Sequence, residues 1–308
     1  MPRRIKRIFM TKLRIGTRGS RLALCQARLA ETELRAVFPS LETEITEIRT
    51  SGDINSEGDI SRMGGKGIFV KEIEQSLLSG ETDIAVHSMK DMPSVLPDGL
   101  IIGSVLKRED PRDVFVSADG RTLEQLEGKG RVGTGSIRRK AQLLFRFPSL
   151  EVVPIRGNVD TRLRKIFSEN LDGIVLAAAG LNRLGLSERI TQHLAWDRMV
   201  PAPCQGIISI ECREDDTETR NFISAITHPD TETAAAFERS FLETFGGDCQ
   251  IPLGCCAQVH LGEISADSVF IDMEKKAVFR NTWKCDAEKA SAGGSLMARD
   301  LMKRARLQ

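Results

Sequence analysis

The run His87-Ser88-Met89-Lys90-Asp91 follows directly on the apolar run Ile84-Ala85-Val86 and is stopped by Pro93. The apolar run follows a turn at Gly80 and reads as a buried strand. Pro93 biases Met92 away from helical geometry. Polar groups therefore gather at the carboxyl end of a strand, which is the end that faces the ligand crevice in open α/β sheets. Asp91 is the first candidate for chemistry there. A carboxylate held at that point can act on charge or protons in a bound ligand. His87 and Ser88 admit two readings, structural support or a part in that chemistry, of which structural support is the favoured one.

Three further stretches place small hydroxyl or glycine residues and arginine between a strand and a helix. They are Thr17-Arg18-Gly19-Ser20, Gly133-Thr134-Gly135-Ser136-Ile137-Arg138-Arg139 and Arg156-Gly157-Asn158-Val159-Asp160-Thr161-Arg162. Free N–H groups at a helix start, a hydroxyl and a forked guanidinium make a receptor for carboxylate or phosphate. Three such turns point to a polyanionic ligand. From Lys129 to Lys165 the arginines and lysines meet only Glu151 and Asp160.

The turn-rich loop Gly246-Gly247-Asp248-Cys249-Gln250-Ile251-Pro252 carries one cysteine, a candidate reactive thiol, because loop cysteines are less often core fillers than those in strands. Cys255 and Cys256, at the start of the next strand, read as packed.

Composition narrows the function class. The 308 residues carry a formal net charge of +1, so no global field recruits nucleic acid or membrane and any anion site must be local. The absence of tyrosine and the low aromatic content also argue against base stacking. Seven cysteines, an odd number with no C-x-x-C spacing, argue against a disulfide framework and a zinc knuckle. Four scattered histidines speak against a histidine-rich metal site, and no metal is expected. The basic N-terminal residues lack the apolar core of a signal peptide, and no run approaches the roughly 20 apolar residues of a membrane span. The expectation is a reduced, cytoplasmic, soluble protein.

The elements that must position these groups read as follows. Leu13–Thr17 is a strand, Arg21–Phe38 an amphipathic helix capped by Ser20, and Thr43–Arg49 a half-buried strand. Ser51–Gly67, ending in Gly64-Gly65-Lys66-Gly67, has no periodicity and admits two readings, a mobile lid or a surface loop. It is no P-loop, since Gly67 follows Lys66. A helix over Ile68–Ser79 precedes the opening strand, and Leu100–Leu106 is a further strand. A charged crossing at Lys107–Asp113 leads to a second α/β unit with strands near Val114–Val116, Arg131–Gly133, Val152–Ile155 and Gly173–Ala177. Pro201 and Pro203 bracket a return crossing, after which Ile207–Glu211 reads as a strand rejoining the first unit. Two crossings suggest two lobes with a cleft. Helices over Thr217–Ile226 and Glu232–Thr244, short strands near Ala257–Leu261, Val269–Asp272 and Ala277–Trp283, and a helix over Ala287–Arg304 make a smaller α+β domain. The expected domains are 11–106 with 201–216, then 107–200, then 217–308.

Together these segments closely resemble the porphobilinogen deaminase (hydroxymethylbilane synthase) family over nearly the whole chain. The specific blocks are Gly64 to Glu72, Asp83 to Pro93, Arg108 to Asp113, Gly133 to Arg139, Arg156 to Leu163, Ala178 to Gly185 and Cys249-Gln250-Ile251-Pro252. The resemblance implies an α/β fold of two lobes like type II periplasmic binding proteins, with a cleft between them and a small α+β C-terminal domain. It implies a monomeric transferase of tetrapyrrole biosynthesis that condenses four porphobilinogen molecules head-to-tail into hydroxymethylbilane, releasing ammonia. By similarity, a dipyrromethane made from substrate is attached through a thioether to Cys249, as an anchor rather than a recycling nucleophile. Asp91 would meet the azafulvenium cation formed on deamination. Arg18, Ser20, Lys90, Ser136, Arg138, Arg139, Arg156, Arg162 and Arg183, with Lys66 on the lid, would hold the acetate and propionate groups. Two positions depart from the family pattern: Asp248 stands where glycine usually precedes the cofactor cysteine, and Cys204 stands where glycine is common. The alternatives are a non-catalytic two-lobed anion receptor, which would have no use for Cys249 or the third domain, and a nucleic-acid binder.

Overall fold

The computed structural model describes residues 12–50, 70–246 and 251–307. The expected lid with Lys66, and the Asp248-Cys249 pair, lie outside the described residues. The chain opens with β1 (Lys12–Arg18), α1 (Arg21–Val37), β2 (Glu42–Ile48), α2 (Lys71–Leu78), β3 (Ile84–Ser88) and β4 (Leu100–Val105). In α1, Ala23, Ala27, Ala30 and Leu34 recur at helical spacing and are buried. The helix packs on Leu13, Ile15, Ile84 and Val86 of the sheet.

The second lobe comprises β5 (Asp113–Ser117), β6 (Arg131–Gly133), α3 (Ile137–Arg146), β7 (Glu151–Val153), α4 (Val159–Ser168), β8 (Gly173–Ala177), α5 (Ala178–Arg183) and β9 (Gln192–Leu194). β7 stops at Val153, short of the expected Ile155, because Pro154 has no N–H for the ladder. After the return crossing, β10 (Ile208–Arg213) inserts into the first sheet. The two sheets have matching orders, β2-β1-β3-β10-β4 and β7-β6-β8-β5-β9. In each, the fourth strand is the one that follows a crossing, and it runs antiparallel to both neighbours.

The remainder is α6 (Thr217–Ser224), α7 (Pro229–Phe245), β11 (Leu253–His260), β12 (Glu263–Asp272), β13 (Ala277–Asp286) and α8 (Ala290–Ala305). Phe222 and Ile223 of α6 join the core of the first lobe. α7 and α8 cover the antiparallel sheet β11-β12-β13 through Phe237, Phe241, Met297 and Leu301. Glu238 on α7 docks this domain to both crossings. Its fully buried carboxylate accepts from Arg108 Nη1 at 2.6 Å and Nη2 at 3.1 Å, from the Ala257 N–H at 2.7 Å and from the Cys204 N–H.

Candidate functional site

β3 ends at Ser88, and one tight helical turn, Met89–Asp91, carries Lys90 and an exposed Asp91 to the sheet edge. The turn is fixed from three sides. Met89 is buried against Val105, Cys204 and Ile207. Ser88 Oγ exchanges hydrogen bonds with the Gln26 side chain of α1, at 2.8 and 3.2 Å. Arg239 of α7 donates to the carbonyls of Pro93 and Ser94 at 3.2 and 2.8 Å, so the third domain holds the loop that follows Asp91. His87 is buried, with Nε2 3.0 Å from Glu211 Oε2.

Gln205, fully buried in the return crossing, joins the lobes. Its Oε1 accepts from Lys90 Nζ at 3.3 Å and Arg139 Nη2 at 3.4 Å, while its Nε2 donates to Asp113 Oδ1 at 2.8 Å. Burial would raise the Asp113 carboxyl, but Arg138 and Arg139 hold it well below the usual carboxylate range. Arg138 Nη1 lies 2.6 Å from both Asp113 Oδ2 and the Val200 carbonyl. Arg139 bonds to Asp113 and to the Val175 carbonyl.

Three cations that feel the Asp91 charge, Lys90, Arg139 and Arg162, share one property. Burial pushes Lys90 down to about 8, with Arg139 adding to the effect and Asp91 opposing it. Burial also lowers Arg139 and Arg162, and each feels the Asp91 charge in the opposite sense. Arg183 is pushed down to about 10 by burial, against the pull of Glu109. Cations shifted in this way are withdrawn from water beyond what the acids nearby neutralise. An anion of several charges entering beside them would remove that penalty.

The three turns lie where the sequence puts them, at the starts of α1, α3 and α4. Ser20, Ser136 and Asn158 act as N-caps, accepting from the N–H groups of Ala23, Arg139 and Thr161. The hydroxyl hydrogens of Ser20 and Ser136 remain able to donate. The second turn packs on the residue that leads into the third: a Cβ on Gly135 would stand 2.5 Å from the Ile155 carbonyl oxygen, so only glycine permits this approach. Arg162 Nε donates to the Gly157 carbonyl at 2.7 Å, and Arg183 Nη2 to the Gly206 carbonyl at 2.6 Å. Arg156 is exposed and Arg18 half-buried. Sequence reasoning missed Gln205, Asp113 and Gln26; the crossing prolines about Gln205 were the available signal.

Burial pushes the thiols of Cys204 and Cys212 up to about 12 and about 11, and those of Cys255 and Cys256 well above their ordinary value. Among the described residues no cluster suited to a metal ion occurs, and no helix is long and apolar enough to cross a membrane.

Comparison with known proteins gives two family matches: "Porphobilinogen deaminase, dipyromethane cofactor binding domain" over residues 13–221, and "Porphobilinogen deaminase, C-terminal domain" over residues 233–303. The porphobilinogen deaminase of Syntrophotalea carbinolica is 46% identical over 292 residues, covering 95% of this chain and 93% of that protein. That of Chromobacterium violaceum is 43% identical over 293 residues, covering 95% of each. Among solved structures, the methionine-binding protein MetQ covers 74% of this chain and 95% of its own at 13% identity and a TM-score of 0.45. The receptor alternative finds no support in the family matches. With both models matched in order and relatives this similar along almost the full length, the chain belongs to the porphobilinogen deaminase family.

Proposed function

We propose that Asp91 is the catalytic group of the family's reaction in this chain, and that the cations around it hold the substrate and the dipyrromethane cofactor. The reaction joins four porphobilinogen molecules into hydroxymethylbilane with loss of ammonia. The convergence of Asp91 with Lys90, Arg139 and Arg162, three cations whose charge burial disfavours, carries this reading. The residues present fit a dipyrromethane bearing acetate and propionate groups, because these cations lack sufficient acid partners of their own. When bound, the cofactor supplies the carbon to which the first substrate ring is joined.

Asp91, exposed at its turn, accepts hydrogen bonds from pyrrole N–H groups and stabilises the positive charge that develops as the aminomethyl nitrogen leaves. It can also shuttle the proton released on coupling. Arg18, Ser20, Lys90, Ser136, Arg139, Arg156, Arg162 and Arg183, with Lys66, bind carboxylates. Arg138 takes a different part from the direct clamp expected: bonded to Asp113 and Val200 inside the second lobe, it fixes Asp113 and thereby Gln205. Cys249 is the attachment point. In support, Cys204, Cys212, Cys255 and Cys256 are buried thiols with raised pKa, which makes them poor nucleophiles.

The domain bounds proposed are 11–106 with 201–216, 107–200 and 217–308, with α6 packed on the first lobe. The protein is taken to act as a cytoplasmic monomer on porphobilinogen, without nucleic acid or membrane partners. The test is an intact-protein mass. Wild-type protein carries the added mass of a dipyrromethane, and Cys249→Ser does not. An unmodified wild type with full activity overturns the attachment reading.

A further inference from the structure

A groove of about 570 Å³ lies at the seam of the lobes, where α1 faces the end of α5. Arg21 and Arg28 line it from α1, and Arg183 closes it from α5, with Leu24, Leu29 and Leu184 between them. Arg28 lies seven positions after Arg21, two turns on, which places both on one helix face. No carboxylate lines the groove among the described residues. Arg21 reaches across the seam to Asp160 at 3.2 Å. Arg28 is exposed and has no ion-pair partner among the described residues. Basic heads over apolar walls suit a ligand with flat apolar rings and carboxylate arms.

The proposed reaction supplies such a ligand, and this inference rests on that reading. Each added ring brings one acetate and one propionate, so the anchored chain is more acidic at every step. The cations assigned to the cleft, Arg18, Lys66, Lys90, Arg139, Arg156, Arg162 and Arg183, are fewer than the twelve carboxylates of a completed six-ring chain. Arg183 lines the groove and also donates to the Gly206 carbonyl of the return crossing, so it stands between the groove and the crossing that holds Gln205.

We propose that the groove receives the carboxylates of the lengthening pyrrole chain, with Arg28 and Arg21 binding them as rings are added. Arg28 is then a residue of elongation and has no part in cofactor attachment or the first condensation. The test is to treat holoenzyme with limiting porphobilinogen and measure the masses of the covalent adducts. In Arg28→Glu the cofactor and first-ring adduct are as in wild type, while the share of three- and four-ring adducts falls about fivefold to tenfold. Arg28→Lys restores them. A second readout needs no turnover: calorimetric titration of holoenzyme with a free tetracarboxylate dipyrromethane shows binding about fivefold weaker in Arg28→Glu than in wild type. Identical adduct distributions and affinities in a folded Arg28→Glu protein overturn the groove inference alone. A wild type that forms no ring-by-ring adducts overturns the synthase reading with it.

Discussion

Replacing Asp91 by alanine removes an exposed side chain with no part in the core, so the variant should fold normally. Loss of one preorganised electrostatic group costs about 100- to 1000-fold in rate. Asp91→Ala should therefore keep its circular dichroism spectrum and melting temperature while turnover of porphobilinogen nearly stops; wild-type turnover would remove Asp91 from the mechanism. Lys90 makes a different prediction. With its ammonium pushed down to about 8, the cation is present below that pH and lost as pH rises through it. Affinity for carboxylate ligands should thus fall between about pH 7 and 9, and Lys90→Gln should bind weakly with a flatter profile in the same titration. Both residues were legible in the sequence because a strand and a proline bracket them. Gln205 was not, because its role comes from which side chains the two crossings bring within hydrogen-bond reach, and no local pattern encodes that.

At the scale of elements, the first sheet buries charge beneath β3. Glu74 of α2 and Glu211 of β10 are buried with His87, and one carboxylate oxygen of each lacks a hydrogen-bond partner. Burial and, after it, the Glu211 charge raise Glu74 to about 7 against the opposing pull of His87. A carboxyl raised in the folded state holds its proton where the unfolded chain, at about 4.3, has lost it. Its contribution to stability is then present at low pH and declines as pH rises from about 4.5 to 7. Glu74→Gln should flatten that decline and raise stability at pH 8 by about 1–3 kcal/mol, after allowance for residual solvent; urea unfolding at pH 5 and pH 8 checks it. Cys204 offers a second case, since its φ of 61° lies in the left-handed region that favours glycine. Cys204→Ala keeps that strain and loses the packed sulfur, so it should cost about 1–2 kcal/mol. Cys204→Gly relaxes the backbone and should cost less. The helices and most strands were readable from periodicity. β9, three residues long, was not, because its pairing with β5 is a tertiary fact.

For the whole molecule, the matching sheet orders place each crossing directly before the fourth strand of its sheet. The expectation of a strand returning to the first unit came from Pro201, Pro203 and the apolar run after them, and β10 lies there. Its position between β3 and β4, antiparallel to both, was not readable. That position has a consequence for synthesis. The second sheet uses a continuous piece of chain, 113–194, whereas the first lacks its fourth strand until 208–213 has left the ribosome. The lobe encoded later can therefore close first, while the earlier one waits with β4 split from β3. Nascent chains stalled with residue 200 clear of the exit tunnel should resist protease across 113–194 and be cut before 106. Release of a further stretch past 213 should protect both.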